Sequence, residues 1–156
     1  MAKRTQISWY IAGSLILLLM LGRSAYRYFR LSEFDSPDEP GSGSRMQKST
    51  LAMLDKARGI SGIPFVILSG VRTEEHNAEV GGVDSSAHVR GYAADIAAVT
   101  DADKKAIAAA LVKVGFKRIG IGSTFVHADN DPSKPSPVAW GYPKGTKAPF
   151  DPFKLA

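Results

Sequence analysis

An uncharged apolar segment near the amino terminus, Ile7–Gly22, restricts the fold more than any other feature of this sequence. Its length is slightly below the roughly 20 residues that cross a bilayer. Snorkelling arginines and an aromatic run at 26–29 would extend it to both interfaces. We therefore predict one transmembrane helix that anchors the chain, within residues 1–31. A cleaved signal peptide is the main alternative, although no small-x-small site follows the segment. A buried helix is disfavoured because the segment has no polar face.

The net charge of +5 is concentrated around this segment. Residues 1–30 contain five basic residues and no acidic residue, whereas the rest of the chain contains 15 basic and 15 acidic residues. Positive charge beside an apolar segment faces anionic lipid head groups. A protein that binds nucleic acid instead carries basic charge over a folded surface. The sequence therefore predicts a membrane partner and no nucleic acid partner. Because positive charge flanks both ends of the segment, charge alone does not set its orientation.

The next segment, residues 32–44, has the sequence SEFDSPDEPGSGS and few apolar residues. A composition rich in Pro, Gly, Ser and acids is typical of a flexible spacer. We therefore predict that a single folded domain occupies residues 45–156. Hydrophobic periodicity and breaker residues predict its elements. The predicted helices cover 46–58, 73–80 and 101–114, the predicted strands cover 64–70, 92–99, 118–121 and 124–128, and the remainder is mostly loop.

Two short stretches of the domain carry residues suited to metal binding. SSAHVRGYAADI contains His88 and Asp95, and TFVHADND contains His127. Asp95 lies in an apolar stretch, where an unpaired carboxylate is costly to bury, so a metal ion or an arginine such as Arg72 should pair with it. The chain has no cysteine, which limits any metal site to His, Asp and Glu ligands. Two histidines and one aspartate suit a catalytic zinc site with an open position for water.

These stretches resemble the zinc D-Ala-D-Ala carboxypeptidase family, peptidase M15, whose fold is similar to that of hedgehog signalling domains. The family pattern is S-G-x-R, then N, G-G and S-x-H-x-x-G-x-A-x-D, and later a strand that ends in His. The similarity covers about residues 46–129. The matching residues are Ser69, Gly70, Arg72, Asn77, Gly81, Gly82, Ser86, His88, Gly91, Ala93, Asp95 and His127.

The resemblance implies an α+β fold, with a small antiparallel sheet and flanking helices. It implies that His88, Asp95 and His127 bind Zn²⁺, and that Arg72 holds a carboxylate or carbonyl of the substrate. Ser86 would form a structural or substrate hydrogen bond near the metal. The implied activity is hydrolysis of peptidoglycan stem peptides, by a carboxypeptidase or an endopeptidase. This substrate would place the domain on the periplasmic or extracellular side of a bacterial membrane, in a bacterial or phage-encoded protein.

One departure from the family concerns the general base. Many members have an acidic residue shortly before the last histidine, but none of residues 121–126 is acidic. Asp129 is the nearest carboxylate, and we predict that it acts as the base or orients the site; a salt-bridged strand end is an equal alternative. Trp140 is predicted to line a substrate cleft, with core packing as the alternative. The missing acid also leaves open a non-catalytic, hedgehog-like recognition module that binds zinc.

Overall fold

The computed structural model describes residues 26–143 and 145–156, which form an α+β domain. The helices are α1 (Lys48–Ser61), α2 (Glu74–Glu79) and α3 (Asp101–Lys113). The strands are β1 (Ile67–Ser69), β2 (Ala93–Ala97), β3 (Arg118–Ile121), β4 (Phe125–Asp129) and β5 (Val138–Gly141). Short 3-10 helices cover Leu31–Phe34, Ser42–Arg45 and Pro152–Lys154. The helices and first four strands therefore lie close to their predicted positions.

The strands form one sheet in the order β1-β2-β4-β3-β5. The first three pairings are antiparallel, as predicted, but β5 runs parallel to β3, so the sheet is mixed and not purely antiparallel. The difference arises in the segment predicted as loop. After β4 the chain crosses to the outer side of β3, and Val138–Gly141 pairs there although prolines and lysines surround it.

One face of the sheet forms the core. On β2 and β4, side chains alternate between the two faces, so Ile96 and Val126 point into the core and are fully buried. Helices α1 and α3 pack against each other and cover this face, with Leu54 and Leu111 fully buried. Burial of each such leucine stabilises the fold by roughly 1.5–3 kcal/mol. The opposite face of β2 and β4 carries the polar side chains of Asp95, His127 and Asp129.

The segment predicted as a flexible spacer, residues 32–44, is instead folded onto the domain. Phe34 is 0 % exposed and belongs to the core. The carboxylate of Asp35 accepts hydrogen bonds from the backbone N–H groups of Gly41 (2.9 Å) and Gly43 (2.7 Å). Aspartate and serine side chains order such turns through bonds to nearby backbone. Composition therefore predicts flexibility here, but one buried aromatic ring and a few local hydrogen bonds order the segment.

The predicted anchor falls largely on residues 1–25, which lie outside the described residues. Within residues 26–143 and 145–156, no helix has the length and apolar character needed to cross a membrane. The first described residues pack against the domain. The Tyr28 N–H donates to Asp55 Oδ1 (2.8 Å), and Phe29 is 2 % exposed in the core.

Candidate metal centre

Asp95 and His127 are direct cross-strand partners on β2 and β4. Side chains of directly paired residues project from the same face of an antiparallel sheet. Both therefore lie on the face opposite the core, and Asp95 Oδ1 lies 2.7 Å from His127 Nδ1. Both residues are buried. The pairing of two strands thus brings together residues that are 32 positions apart.

His88 approaches the same point from the turn that precedes β2. Its Nδ1 lies 2.7 Å from the backbone carbonyl of Gly70, so the Nδ1–H donates there and Nε2 faces the sheet. Nε2 lies 3.4 Å from Asp95 Oδ2 and 3.3 Å from His127 Nδ1. The Ser86 hydroxyl accepts a hydrogen bond from the His88 N–H (3.3 Å) and so orders this turn. The structure gives Ser86 a structural contact next to the site.

Gly91 allows the turn to reach β2. Its φ of +73° lies in the left-handed region, which glycine adopts most easily. A Cβ at this position would lie 2.3 Å from the Arg45 carbonyl oxygen, so the backbone leaves no room for a side chain. The Gly91 carbonyl accepts a hydrogen bond from the Gln47 N–H (2.9 Å). These contacts hold the histidine turn against the start of α1.

The three side chains fit a divalent metal ion. One ligand atom from each of His88, Asp95 and His127 lies within 4.8 Å of the others. Ligand atoms ~2.0–2.1 Å from a tetrahedral zinc ion lie ~3.3–3.4 Å apart, and two of the separations given above are 3.3 and 3.4 Å. The third separation, between Asp95 Oδ1 and His127 Nδ1, is shorter (2.7 Å) because these two atoms form a hydrogen bond. Imidazole nitrogen and carboxylate oxygen are both ordinary zinc ligands.

Charges around the site favour an ionised Asp95. Burial alone would raise the pKa of Asp95, but His88 and His127 beside it hold that pKa below its usual range. Burial lowers the pKa of His88, so its imidazole is neutral near neutral pH. Burial also opposes protonation of His127, but hydrogen bonds with Asp129 and Asp95 outweigh it and raise the pKa of His127. Protons therefore compete with a metal ion more strongly at His127 than at His88.

Arg72 is the second cationic partner of Asp95. Its Nη2 donates to Asp95 Oδ2 (2.7 Å), and its Nε donates to Ser69 Oγ (2.8 Å). The remaining nitrogen, Nη1, makes no hydrogen bond with any other residue in the described part of the chain. The arginine that the sequence offered as a partner of Asp95 is thus present beside the candidate metal ligands, and Arg72 keeps a donor for another group.

Asp129 lies on the far side of the His127 ring. Its Oδ2 is 3.2 Å from His127 Nε2, whereas Nδ1 of the same ring faces Asp95 and His88. Arg118 Nε donates to both Asp129 oxygens (2.9 and 3.1 Å). Burial would raise the pKa of Asp129, but His127 and Arg118 lower it. A paired carboxylate of low pKa is a poor proton acceptor. The geometry therefore favours a role in orienting His127.

Aromatic rings form one side of the site. Trp140 on β5 lies with its ring centroid 5.3 Å from that of His127, and Phe125 packs against Tyr142 at 4.8 Å. Burial raises the pKa of Tyr142 to about 12, so its hydroxyl is protonated. Gly120 on β3 pairs with His127 on β4 and with Trp140 on β5. A Cβ at position 120 would lie 2.7 Å from the Tyr142 ring and 2.8–2.9 Å from the Trp140 ring. A glycine is therefore needed for the rings to reach the site.

These residues line an open cleft of about 730 Å³, a size that suits a small ligand. The cleft brings together the predicted residues Arg72, Ser86 and Trp140 with the three ligand candidates. His76 does not line it and instead lies 3.6 Å from Glu79 on α2. Sequence reasoning missed Arg118 and Gly120. The cross-strand register of β3 with β4 would have indicated both, but a single sequence does not reveal it.

The comparison with protein families matches residues 28–129 to peptidase M15. The matched range contains His88, Asp95 and His127, as well as Arg72 and Asp129, and it ends before Trp140. It also begins within the first folded turns, before the segment that composition marks as a spacer. No curated protein matches the chain. Because the family match covers more than half of the chain, this protein belongs to the peptidase M15 family, whose members are typically metal-dependent.

Proposed function

We propose that this protein is a zinc-dependent peptidase that hydrolyses peptidoglycan stem peptides, as a D-Ala-D-Ala carboxypeptidase or as an endopeptidase. His88, Asp95 and His127 converge in the lining of an open cleft, and this convergence carries the proposal. Membership of peptidase M15 supports the reaction type. The bacterial cell wall as substrate rests on the resemblance of the sequence pattern to the carboxypeptidase branch.

A zinc ion held by the three residues would polarise a scissile carbonyl and lower the pKa of a water molecule. The chain's own residues prepare the site for such an ion. The Gly70 carbonyl fixes the His88 tautomer, and Asp129 fixes the orientation of His127. Such outer partners of metal-binding histidines hold the rings in position and raise their basicity.

In this proposal Arg72 orients the substrate. Its Nη2 and Nε hold Asp95 and Ser69, so the guanidinium plane is fixed while Nη1 still offers a donor to the cleft. A fixed arginine binds a carboxylate or carbonyl oxygen with little loss of conformational freedom. Trp140 would pack against an apolar part of the peptide. Ser86 would hold the turn that carries His88, because its hydroxyl accepts a hydrogen bond from the His88 N–H.

The proposed location is the outer face of a bacterial cytoplasmic membrane, with residues 1–31 as anchor. Peptidoglycan lies on that side, and a membrane anchor would raise the effective concentration of the domain near its substrate. The charge distribution supports the anchor, because the five excess basic residues all precede Leu31, whereas the outer side follows from the proposed substrate. We propose no nucleic acid partner.

The test uses the full chain in lipid nanodiscs, loaded with zinc and incubated with purified peptidoglycan. We expect mass spectrometry to detect released D-Ala or broken crosslinks. His88→Ala should abolish release, because it removes one of the three ligands. His76→Ala is the matched control, since this imidazole lies outside the cleft beside Glu79. Equal activity of the His88→Ala variant would contradict the proposal.

A second candidate function is a zinc-binding recognition module without peptidase activity. Among the residues that the structure describes, the cleft is lined by two carboxylates, Asp95 and Asp129. Both are held by arginine and histidine side chains, which leaves no unpaired acid to accept a proton. Stoichiometric zinc with tight binding of a stem peptide, but no cleavage over many hours, would favour this function.

A further inference from the structure

The chain leaves little length between the apolar segment and the folded domain. Four residue steps separate Gly22 from Tyr26, the first described residue, and these span at most about 14 Å when fully extended. The domain is fixed from this point onward. Arg58 Nη1 donates to the Tyr28 carbonyl (3.0 Å), and the Phe29 ring lies in the core. If the apolar segment crosses a bilayer, this part of the domain lies close to its surface.

Exposed apolar side chains lie on the elements that pack near this attachment point. We call Leu31, Ile60, Val66 and Leu68 the amino-terminal patch; they are 42 %, 42 %, 59 % and 55 % exposed. The elements that carry them contact one another. The 3-10 helix Leu31–Phe34 contacts β1, and Arg58 Nη1 also approaches the Phe65 carbonyl (3.5 Å). Large exposed apolar side chains in one region mark a surface that contacts a protein or a membrane.

Basic and aromatic residues lie beside the patch. Arg27, Arg30 and Lys56 are exposed, and the Arg27 guanidinium lies 5.3 Å from the centre of the Tyr28 ring. Tyrosine beside arginine is typical of the membrane interface. Each basic residue near an anionic lipid surface contributes about 1 kcal/mol of attraction. The exposed Glu33, which accepts a hydrogen bond from the Arg30 N–H (2.7 Å), offsets one of these charges. The three basic residues still leave the region with net positive charge, which complements anionic phospholipid.

The opposite edge of the sheet differs. Ala139 on β5 lines a hollow together with the C-terminal residues Phe150 and Phe153, so the C-terminal tail lies beside this edge. Edge strand β1 instead carries Val66 before it and Leu68 within it, both exposed. The two edges are four strand spacings apart, about 19 Å. Because of this separation, labels near the two edges would lie at different distances from a membrane if the domain has one fixed orientation on it.

We propose that the amino-terminal patch rests on the surface of an anionic phospholipid bilayer, so that the domain is docked on the membrane and is not held on a free tether. The proposal rests on the proposed anchor but not on peptidase activity. A docked domain of this size reaches only about 30–40 Å from the bilayer. Its substrate would then be the stem peptides nearest to the membrane.

The test uses single-cysteine variants, because the chain contains no cysteine. The full chain is labelled with bimane and reconstituted in vesicles of equal parts phosphatidylglycerol and phosphatidylcholine that contain a nitroxide-labelled lipid. Ile60→Cys reports on the patch, and Leu17→Cys reports on insertion of the apolar segment. Leu155→Cys is the matched control, because Leu155 is 41 % exposed and follows the tail beside β5. We expect several-fold stronger quenching at position 60 than at position 155.

Equal quenching at positions 60 and 155, with strong quenching at position 17, would overturn docking while leaving the anchor in place. Absence of quenching at positions 60 and 17 would overturn both. Rapid disulfide formation between two copies of Val66→Cys, with position 60 unquenched, would assign the patch to a second copy of the chain and would also overturn the proposal. Because none of these readouts uses zinc or peptide cleavage, failure of the proposed enzyme function is distinguished from failure of docking.

Discussion

Replacement of Asp129 by Asn tests whether this residue orients the metal site or accepts a proton. The substitution keeps the size of the side chain and one acceptor oxygen, but removes the charge that lies 3.2 Å from His127 Nε2. Loss of such an outer partner typically lowers metal affinity 10–100-fold, or about 1.4–2.7 kcal/mol. We expect a zinc affinity lower by this factor, with a modest change in the turnover of the zinc-saturated protein.

The assay is competition with a chromogenic zinc chelator, combined with peptide release at saturating zinc. Asp131→Asn is the matched control, because Asp131 is also buried and paired with an arginine, Arg90, but does not contact His127. Thermal unfolding of both variants separates a loss of folding from a loss of binding. If Asp129 is instead the base, zinc affinity will be unchanged and turnover will fall ~10²–10⁴-fold. That result would refute the orienting role.

Gly120→Ala should lower the free energy of unfolding by about 1–3 kcal/mol, because the added methyl group meets the Trp140 ring; unchanged urea denaturation would contradict this. Phe34→Ala should cost about 3–5 kcal/mol, whereas Glu33→Ala beside it, which is exposed, should cost much less in the same assay. Zinc affinity should fall as the pH is lowered, because protons compete for the imidazoles; since the pKa of His127 is raised, competition should begin above the ordinary histidine value of about 6.5. A pH-independent affinity in zinc titrations would exclude that proton as a competitor.

The sequence predicted the helices, the first four strands and the three ligand candidates because these signals are local. Apolar periodicity marks α1 and α3, and the burial cost of a carboxylate marks Asp95. Helix α1 nevertheless extends past the predicted stop at Gly59 to Gly62, whose φ of +67° ends it. Glycine at position 59 packs against the Tyr28 ring instead of ending the helix.

The features that the sequence did not predict depend on contacts between distant residues. Pro and Lys around Val138–Gly141 indicate loop, but parallel pairing with β3 makes it a strand. Likewise, the composition of 32–44 indicates a spacer, but Phe34 lies against Gly70, where a Cβ would be 2.6 Å from the Phe34 backbone. The pairing of Asp129 with Arg118 also follows from register. None of these contacts leaves a periodic or compositional signal in one chain.

Because Asp95 pairs directly with His127, the candidate metal centre forms only when β2 and β4 pair in the native register. A slip of β2 by one residue along β4 would turn Asp95 towards the hydrophobic interior and bring an alanine or isoleucine beside the imidazole. A bound ion would therefore select the native alignment over misaligned intermediates. During refolding, transfer of zinc from a fluorescent chelator to the protein would then report when the two strands reach their native register. It would not report the earlier collapse of the chain.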